Sequence, residues 1–348
     1  MKNKAVIIGA SGGMGRNIIT YLSTLDNWDI VGLDIKEPMY ESRQTFIQVN
    51  LLDVEETKQK LSHLTATTHI FCVGFIGDAT FSGPIDKNVA LLKNTVEAIE
   101  PIAKNLQRVF LMEGGKVYGR QLGKFKTPAK ETDARHMAPN FYFNQEDFLI
   151  ERQRGKSWSW VALRPELLCS NIVGIPNLPL LIGVYATISK ELGLPLRFSG
   201  SEAAYQALVQ VCDAKLLAKA AVWVATAENT ANHAINFTNG DAFRWQHLWK
   251  RIAKFFDMEY EEPQQINLAT FMEDKAPLWD SIVEKYQLEP NSYHDVAAWP
   301  LGDFMFNCDW DVLLSTTKIQ QLGFHEVMDS EEMFLDLLQD FRNRNIIP

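Results

Sequence analysis

Residues 9–15 read Gly9-Ala10-Ser11-Gly12-Gly13-Met14-Gly15, a G-x-x-G-x-x-G loop. The loop follows an apolar run at residues 5–9, typical of a strand covered on both faces, and opens a helical pattern at residues 12–25. Its first glycine permits a tight turn, its second lets the backbone approach a pyrophosphate, and its third allows close packing of helix on strand. Unpaired amides at the helix start favour phosphate. The stretch therefore predicts a dinucleotide-binding unit.

The loop supplies the first predicted cofactor contacts, which are Gly9, Ser11, Gly12, Gly13, Met14 and Gly15. By itself a glycine-rich loop is also compatible with a plain tight connection. The pattern further along favours the cofactor interpretation, because strand and helix signals alternate. Strands are predicted at residues 30–34, 46–49, 69–74, 109–112 and 160–164, with helices at 54–64, 88–106 and 144–154. This alternation predicts an α/β fold with a doubly wound, parallel Rossmann sheet.

After Arg164-Pro165 the pattern becomes mostly helical. Helices are predicted at residues 180–192, 213–226, 245–256, 268–286, 311–322 and 331–344, and one late strand at 234–237. We therefore predict a dinucleotide-binding domain over residues 1–165, to which residues 208–240 return. Residues 166–207 and 241–348 are predicted to form a smaller, mainly helical substrate-binding domain.

The composition excludes several classes of protein. Of the 348 residues, 46% are apolar and 22% charged, as in an ordinary globular protein. The net charge of −9 gives no general attraction for nucleic acid or anionic lipid. The four cysteines and seven histidines show no metal-ligand spacing, so no metal site is predicted. The N-terminal apolar run is too short for a signal peptide, and prolines interrupt residues 172–188, so a cytoplasmic protein without membrane spans is expected.

Polar residues after the predicted strands suggest further cofactor contacts. Asp34 ends the second strand, where a carboxylate can accept hydrogen bonds from the adenosine ribose and would repel a 2′-phosphate. It therefore favours NADH over NADPH, although Lys36 can reduce that repulsion. Asp53 follows the third strand and either reaches the adenine or caps the next helix. Val73 and Gly74, at the end of the fourth strand, are also predicted to border the cofactor.

The catalytic residues are harder to predict from spacing. None of the nine tyrosines has a lysine four residues later, so the Y-x-x-x-K pair of ordinary short-chain dehydrogenases is missing. Either the chemistry is absent, or the pair comes from separate segments. Lys116 lies just after a predicted strand, and Tyr142 lies near the start of the next helix. They are candidates for such a pair, in which the ammonium would lower the pKa of the phenol. The alternatives are a loop lysine and a buried aromatic cluster.

Several motifs around these residues resemble the progesterone 5β-reductase/iridoid synthase-like family of atypical extended short-chain dehydrogenases, and most closely its microbial branch. The resemblance covers nearly the whole chain. It is carried by Lys116-Val117-Tyr118-Gly119, Lys126-Thr127-Pro128, residues 135–147 (RHMAPNFYFNQED), Trp158-Ser159-Trp160, Leu163-Arg164-Pro165, residues 185–188 (YATI), residues 194–198 (LPLRF) and residues 239–245 (NGDAFRW).

The resemblance implies ene-reduction, in which hydride from a reduced nicotinamide adds to the β-carbon of an α,β-unsaturated carbonyl compound. Lys116 would match the lysine that orients the nicotinamide ribose and the tyrosine. Tyr142 would match the tyrosine that hydrogen-bonds the carbonyl oxygen. The chain departs from the family at Glu113, where plant members have Thr, and at Glu166, where the pocket floor is expected to differ.

We therefore expect an NAD(P)H-dependent enone reductase acting on a small molecule. An NAD(P)H-dependent aldehyde or ketone 1,2-reductase and a non-catalytic NAD(P)-binding regulator are the alternatives. No nucleic-acid or membrane partner is expected, and a homodimer is left open.

Overall fold

The alternating apolar runs of the first half form a parallel sheet in the computed structural model, which describes residues 2–77 and 84–348. Its first-half strands are β1 (Asn3–Ile8), β2 (Trp28–Asp34), β3 (Gln44–Gln48), β4 (His69–Cys72), β5 (Arg108–Met112) and β6 (Ser159–Pro165). The helices between them are α1 (Gly13–Ser23), α2 (Val54–Leu61), α3 (Ile85–Ile99) and α4 (Phe141–Gln153). Two 3-10 turns, Gly115–Tyr118 and Arg120–Leu122, follow β5.

The later strands are β7 (Leu167–Cys169), β8 (Leu196–Arg197), β9 (Leu208–Val209), β10 (Val211–Asp213), β11 (His233–Phe237), β12 (Phe243–Arg244) and β13 (Tyr260–Glu261). The later helices are α5 (Leu178–Glu191), α6 (Glu202–Gln206), α7 (Ala214–Thr226), α8 (Trp245–Phe255), α9 (Leu268–Phe271), α10 (Ala276–Tyr286), α11 (Tyr293–Val296), α12 (Trp299–Phe306), α13 (Thr317–Leu322) and α14 (Ser330–Asn343). Two more 3-10 turns are Glu228–Thr230 and Glu273–Lys275.

The main sheet has the order β3-β2-β1-β4-β5-β6-β11, with every described pair parallel. Side chains alternate along β1, so Ala5 and Ile7 pack with α1 and α7 while Val6 and Ile8 pack with α2 and α3 on the other face. The predicted α/β, doubly wound Rossmann sheet is confirmed. The strand order reverses between β1 and β4, and a crevice at the carboxyl ends of such strands is where these folds bind ligands.

The helices α5, α8, α10, α12 and α14 pack around a separate apolar cluster, whereas α7 and α13 pack with the main sheet. Trp245 and Trp249 are fully buried in the separate cluster, and the Trp245 and Phe306 rings lie 5.3 Å apart. β11 pairs with β6, so the late strand extends the main sheet. The division into two domains stays a prediction. In the described part of the chain, none of the helices combines the length and apolarity needed to cross a bilayer.

Several predicted helix boundaries differ from the structure. The helix predicted at residues 88–106 is Ile85–Ile99, and two others differ for reasons that the contacts show. The helix predicted at residues 311–322 forms only from Thr317, because Val312 donates its amide to the carbonyl of Leu208 at 2.8 Å and Leu314 bridges to Ala129. These long-range hydrogen bonds hold residues 311–314 extended. The helix predicted at residues 268–286 is divided into α9, a 3-10 turn and α10, and Pro277 lies in the first turn of α10. A proline is tolerated there but not inside a continuous helix.

Candidate cofactor and active site

A cavity of about 540 Å³ opens at the carboxyl ends of β1, β2 and β4. The glycine loop lines it, together with Ile175 and Pro176 from the segment before α5. Ile175 lies against the loop, since a Cβ added at Gly13 would be 2.7 Å from its Cδ1. Of the predicted cofactor contacts, the cavity is lined by Gly9, Gly12, Gly13, Met14, Asp34, Val73 and Gly74. Leu51, Leu52 and Phe75 also line it and were not singled out from the sequence. The cavity lies at the point of the sheet where the strand order reverses.

The glycine loop has the backbone that a phosphate cradle requires. Gly9 has φ 86°, and a Cβ added there would lie 2.5 Å from the Cα of Gly74. A Cβ at Gly15 would lie 2.1 Å from the carbonyl oxygen of Gly9, so only glycine lets α1 approach β1 this closely. Gly12 caps α1 without any side-chain hydrogen bond to the first-turn amides. These residues therefore fit the pyrophosphate of a dinucleotide.

Asp34 is held at the end of β2 by two backbone amides. Its Oδ2 accepts from the amide of Ser11 at 3.0 Å, and its Oδ1 accepts from the amide of Ile35 at 2.7 Å. The Ser11 hydroxyl donates to the carbonyl of Lys36 at 2.5 Å, while the Lys36 side chain is exposed. This network joins the glycine loop to the end of β2 and fixes a carboxylate on the cavity wall.

Asp53 has the geometry of a helix cap. Its Oδ1 accepts from the amides of Glu55 at 3.0 Å and Glu56 at 2.9 Å, which satisfies the first turn of α2. Its side chain is therefore used by the fold, and its contact with adenine stays a prediction. Ser11, Gly15 and Lys36 act beside the cavity through the hydrogen bonds and packing described above.

Lys116 and Tyr142 belong to one corner of the molecule, where Asn140 joins their segments. The Asn140 amide nitrogen donates to the carbonyl of Lys116 at 3.0 Å, and its oxygen accepts from the amide of Tyr142 at 3.1 Å. A Cβ added at Gly114 would lie 3.5 Å from the Tyr142 hydroxyl. The Lys116 ammonium lies 5.9 Å from the ring centre of Phe75, which lines the cavity. The catalytic roles of both residues stay predictions.

Asn140 is a site residue that sequence reasoning did not identify. It is the N-cap of α4, and an Asn directly before a helix is a recognisable capping signal. The signal also explains why α4 begins at Phe141 and not at residue 144 as predicted. Capping places Tyr142 in the first turn of the helix, so its position relative to Lys116 is set by backbone hydrogen bonds.

The electrostatic surroundings of Tyr142 differ from the prediction. Burial raises the pKa of its phenol, and the Glu113 carboxylate raises that pKa further. Burial lowers the pKa of Lys116, and the nearby Arg120 guanidinium lowers it too. The predicted lowering of the Tyr142 pKa is therefore wrong for this structure. The reason is that desolvation and a buried acid dominate its environment.

Glu113 belongs to a buried cluster of charges beneath Tyr142. Its Oε2 accepts from the Nε of Arg164 at 2.6 Å, and Arg164 also donates to Glu146 at 3.1 Å. Glu146 in turn accepts from Arg135 at 2.8 Å. Burial raises the pKa of Glu113 to about 7, and Glu146 acts in the same direction while Arg164 opposes it. Two carboxyl groups thus share one buried guanidinium.

A second buried ion pair lies on the other side of the Lys116 turn. Arg120 donates to the Oε2 of Glu166 at 2.7 Å, and the two side chains are 8% and 0% exposed. Arg120 also contacts α12, with its guanidinium 5.4 Å from the Phe304 ring centre. A Cβ at Gly115 would lie 2.1 Å from the Oε1 of Glu166. The pair therefore packs the Lys116 turn against the second half of the chain.

The prediction of no metal site concerns the whole chain, whereas the structure describes residues 2–77 and 84–348. Within residues 2–77 and 84–348, no group of three or more His, Cys, Asp or Glu side chains is arranged to hold an ion. The four cysteines are free and buried.

Residues 46–348 match the PRISE-like Rossmann-fold domain. The chain belongs to the PRISE-like family. The match spans most of the chain and includes both Lys116 and Tyr142, so the resemblance stated from the motifs is confirmed.

Named relatives of this PRISE-like chain are similar over its full length. It is 32% identical to a short chain dehydrogenase, gsfE, of Penicillium aethiopicum, with 100% of each chain covered. It is 32% identical to an (S)-8-oxocitronellyl enol synthase of Antirrhinum majus, over 99% of this chain and 92% of the relative. It is 30% identical to a 3-oxo-Delta(4,5)-steroid 5-beta-reductase of Arabidopsis thaliana, over 99% and 93%.

Solved structures agree on the fold. The PRISE-like chain superposes on the Bordetella bronchiseptica enzyme WbmH, crystallised in complex with NAD+, with a TM-score of 0.64 and 16% identity. The superposition covers 99% of this chain and 100% of WbmH. This likeness shows the fold alone. The named relatives, a short chain dehydrogenase and a reductase among them, show that the chain is an oxidoreductase of the short-chain dehydrogenase/reductase superfamily.

Proposed function

We propose that this chain reduces the C=C bond of α,β-unsaturated carbonyl compounds with NAD(P)H. The observation that carries the proposal is the link through Asn140, which holds Lys116 and Tyr142 at one corner beside the dinucleotide cavity. The relative named as a 3-oxo-Delta(4,5)-steroid 5-beta-reductase supports it, because a 3-oxo-Δ4,5 unit is an enone. The proposed partner is a small enone, and the homodimer stays a prediction.

The chain's residues divide the work of this reaction. The amides at the start of α1 bind the pyrophosphate, and Asp34 binds the adenosine ribose. Lys116 binds the nicotinamide ribose. A bound reduced nicotinamide supplies the hydride that the β-carbon of the enone accepts. As that C–H bond forms, the C=C electron pair moves toward the carbonyl, and the hydroxyl of Tyr142 donates a hydrogen bond to the oxygen where negative charge collects. A proton from solvent then completes the saturated product.

The function is tested by identifying the product. Purified protein is incubated with cyclohexenone or a linear enal and NADH carrying deuterium at C4, and the product is analysed by NMR. We expect a saturated carbonyl compound with deuterium at the β-carbon. An allylic alcohol with deuterium at the carbinol carbon would instead assign 1,2-reduction. No oxidation of reduced cofactor with any enone or aldehyde would favour the non-catalytic regulator.

We also propose that the protein prefers NADH. The position of Asp34 supports this, because its carboxylate is fixed by two amides on the cavity wall, where it would repel a 2′-phosphate. Lys36 is exposed and belongs to the same turn, where it would partly offset the repulsion.

Replacing Asp34 by Ala should narrow the preference for NADH over NADPH by roughly tenfold in kcat/KM, equivalent to about 1.4 kcal/mol. The measurement is the ratio of kcat/KM values for the two cofactors. Asp29→Ala is the matched control, since it removes the same charge from the exposed start of β2. An unchanged ratio in Asp34→Ala, or an equal change in Asp29→Ala, would show that Asp34 does not bind the ribose.

A further inference from the structure

We propose that Glu113 is a positioning residue that acts through Tyr142, so that the reductive step is fast when Glu113 is protonated and slower when it is a carboxylate. This inference rests on the proposed function of Tyr142. The rate of the reductive step would therefore depend on pH near neutrality, through the buried cluster of Glu113, Arg164 and Glu146.

The placement of Glu113 is the first observation. Its amide donates to the carbonyl of Leu163 at 2.8 Å, so the residue continues the pairing of β5 with β6. Its side chain is fully buried, and its Oε2 accepts from the Nε of Arg164. Oε1 is buried without a described partner. A buried oxygen of a carboxylate with no donor is costly, whereas a protonated carboxyl places a neutral group there.

The charges that face Glu113 come from three elements. Arg164 lies on β6, Glu146 and Tyr142 lie on α4, and Arg135 lies in the segment before α4. Arg164 donates to Glu113 through its Nε and to Glu146 through one terminal nitrogen, while its other terminal nitrogen faces the Tyr118 hydroxyl. Glu146 is paired with Arg135 as well as with Arg164, whereas Glu113 contacts Arg164 alone among the described cations, so Glu113 is the carboxyl of this cluster that is more readily protonated.

The effect on Tyr142 follows from the sign of the charge on Glu113. During hydride transfer, negative charge collects on the substrate oxygen and on the phenol that binds it. An ionised Glu113 repels that charge and thereby weakens the stabilisation. A protonated Glu113 removes the repulsion. The backbone connects the two residues, because Gly114 directly follows Glu113 and a Cβ added at Gly114 would lie 3.5 Å from the Tyr142 hydroxyl. In the direction of the proposal, the Glu113 carboxylate raises the pKa of Tyr142.

The first test does not depend on turnover. Tyr142 is replaced by 3-nitrotyrosine, whose ionisation is followed by its visible absorbance in the ligand-free protein. In a Glu113→Gln background we expect the nitrophenol to ionise about one pH unit lower, which corresponds to a tenfold change in its ionisation equilibrium. The glutamine keeps an oxygen for Arg164 but removes the charge. Equal ionisation in the two backgrounds would overturn the proposal.

The second test is the pH profile of single-turnover NADH oxidation with cyclohexenone. For the wild type we expect the rate to fall by roughly tenfold as the pH rises through neutrality, and for Glu113→Gln we expect it to stay high. Glu146→Gln is the matched variant, because it removes the other carboxyl on Arg164. Since Glu146 raises the pKa of Glu113, its removal should move the midpoint to lower pH with the fall retained.

The outcomes separate the two proposals. A fall in rate that persists in Glu113→Gln at the same midpoint would overturn the role of Glu113 while leaving enone reduction intact. A nitrophenol shift without turnover of any enone would overturn the proposed function and leave the influence of Glu113 on Tyr142 supported. If circular dichroism shows that Glu113→Gln is unfolded, the pH midpoint of the rate in Glu146→Gln becomes the test. A midpoint equal to that of the wild type would then overturn the proposal.

Discussion

Replacing Tyr142 by Phe is expected to lower kcat for an enone by about 100- to 1,000-fold, the usual effect of losing one hydrogen-bond donor to a developing oxyanion. The change removes only the hydroxyl, so the packing of the ring on Phe141, 4.2 Å away between ring centres, is retained. The Kd for NADH should stay near the wild-type value, because the glycine loop and Asp34 are untouched. The measurement is steady-state kinetics together with a fluorescence titration of NADH.

Tyr118→Phe is the control for this variant. Tyr118 lies in the same loop as Lys116, but its hydroxyl donates to the Oδ1 of Asn236 at 2.5 Å and therefore has a structural partner. We expect this variant to retain most of the activity and to lose some stability. An unchanged rate in Tyr142→Phe, or an equal loss in both variants, would show that the Tyr142 phenol does not bind the carbonyl oxygen.

Replacing Arg120 by Met is expected to destabilise the protein by about 3–5 kcal/mol, because it leaves the fully buried Glu166 without its cation. Glu166→Met should have an effect of similar size by leaving Arg120 unpaired. The double variant should be more stable than either single one, because two apolar side chains replace the pair and no buried charge is left alone. The measurement is urea unfolding followed by circular dichroism.

The exposed pair of Lys219 and Glu326 provides the matched comparison. Its nitrogen and oxygen are 2.9 Å apart, yet the side chains are 43% and 55% exposed. Lys219→Met should therefore cost at most about 1 kcal/mol. If Arg120→Met costs no more than this control, or if the two single effects simply add in the double variant, the buried pair does not hold the Lys116 turn.

The features of the site that follow from sequence rules are local in the chain, and the binding roles of their residues stay predictions. The glycine loop and Asp34 lie where a strand, a turn and a helix follow each other within a few residues, and backbone sterics fix their geometry. The position of Tyr142 in the first turn of α4 is also local, since it depends on the Asn140 cap. The turn of the glycine loop could be predicted because short-range rules decide it. The start of α4 was predicted at residue 144 because the Asn140 cap was not identified.

The features that were missed depend on long-range pairing. Glu113 meets Arg164 across 51 positions of sequence, and Arg120 meets Glu166 across 46. Nothing in the local pattern of either partner indicates the other. Residues 311–314 were predicted as helix for the same reason. Their local pattern is helical, but long-range hydrogen bonds with Leu208 and Ala129 keep them extended. The predicted lowering of the Tyr142 pKa was wrong because burial and the Glu113 carboxylate, which spacing does not reveal, both raise that pKa.

The contact between Glu113 and Arg164 also bears on how the chain finds its native alignment. In the native pairing Met112 lies opposite Leu163, which brings the acid of one strand end beside the base of the next. If β5 shifted by one residue relative to β6, each side chain of β5 would turn to the opposite face of the sheet. Glu113 and Arg164 would then be separated and left as unpaired charges in apolar surroundings. Two strands without this ion pair would lose less free energy on the same shift of register. The ion pair thus favours the native register of β5 and β6 at the place where the Lys116 turn begins.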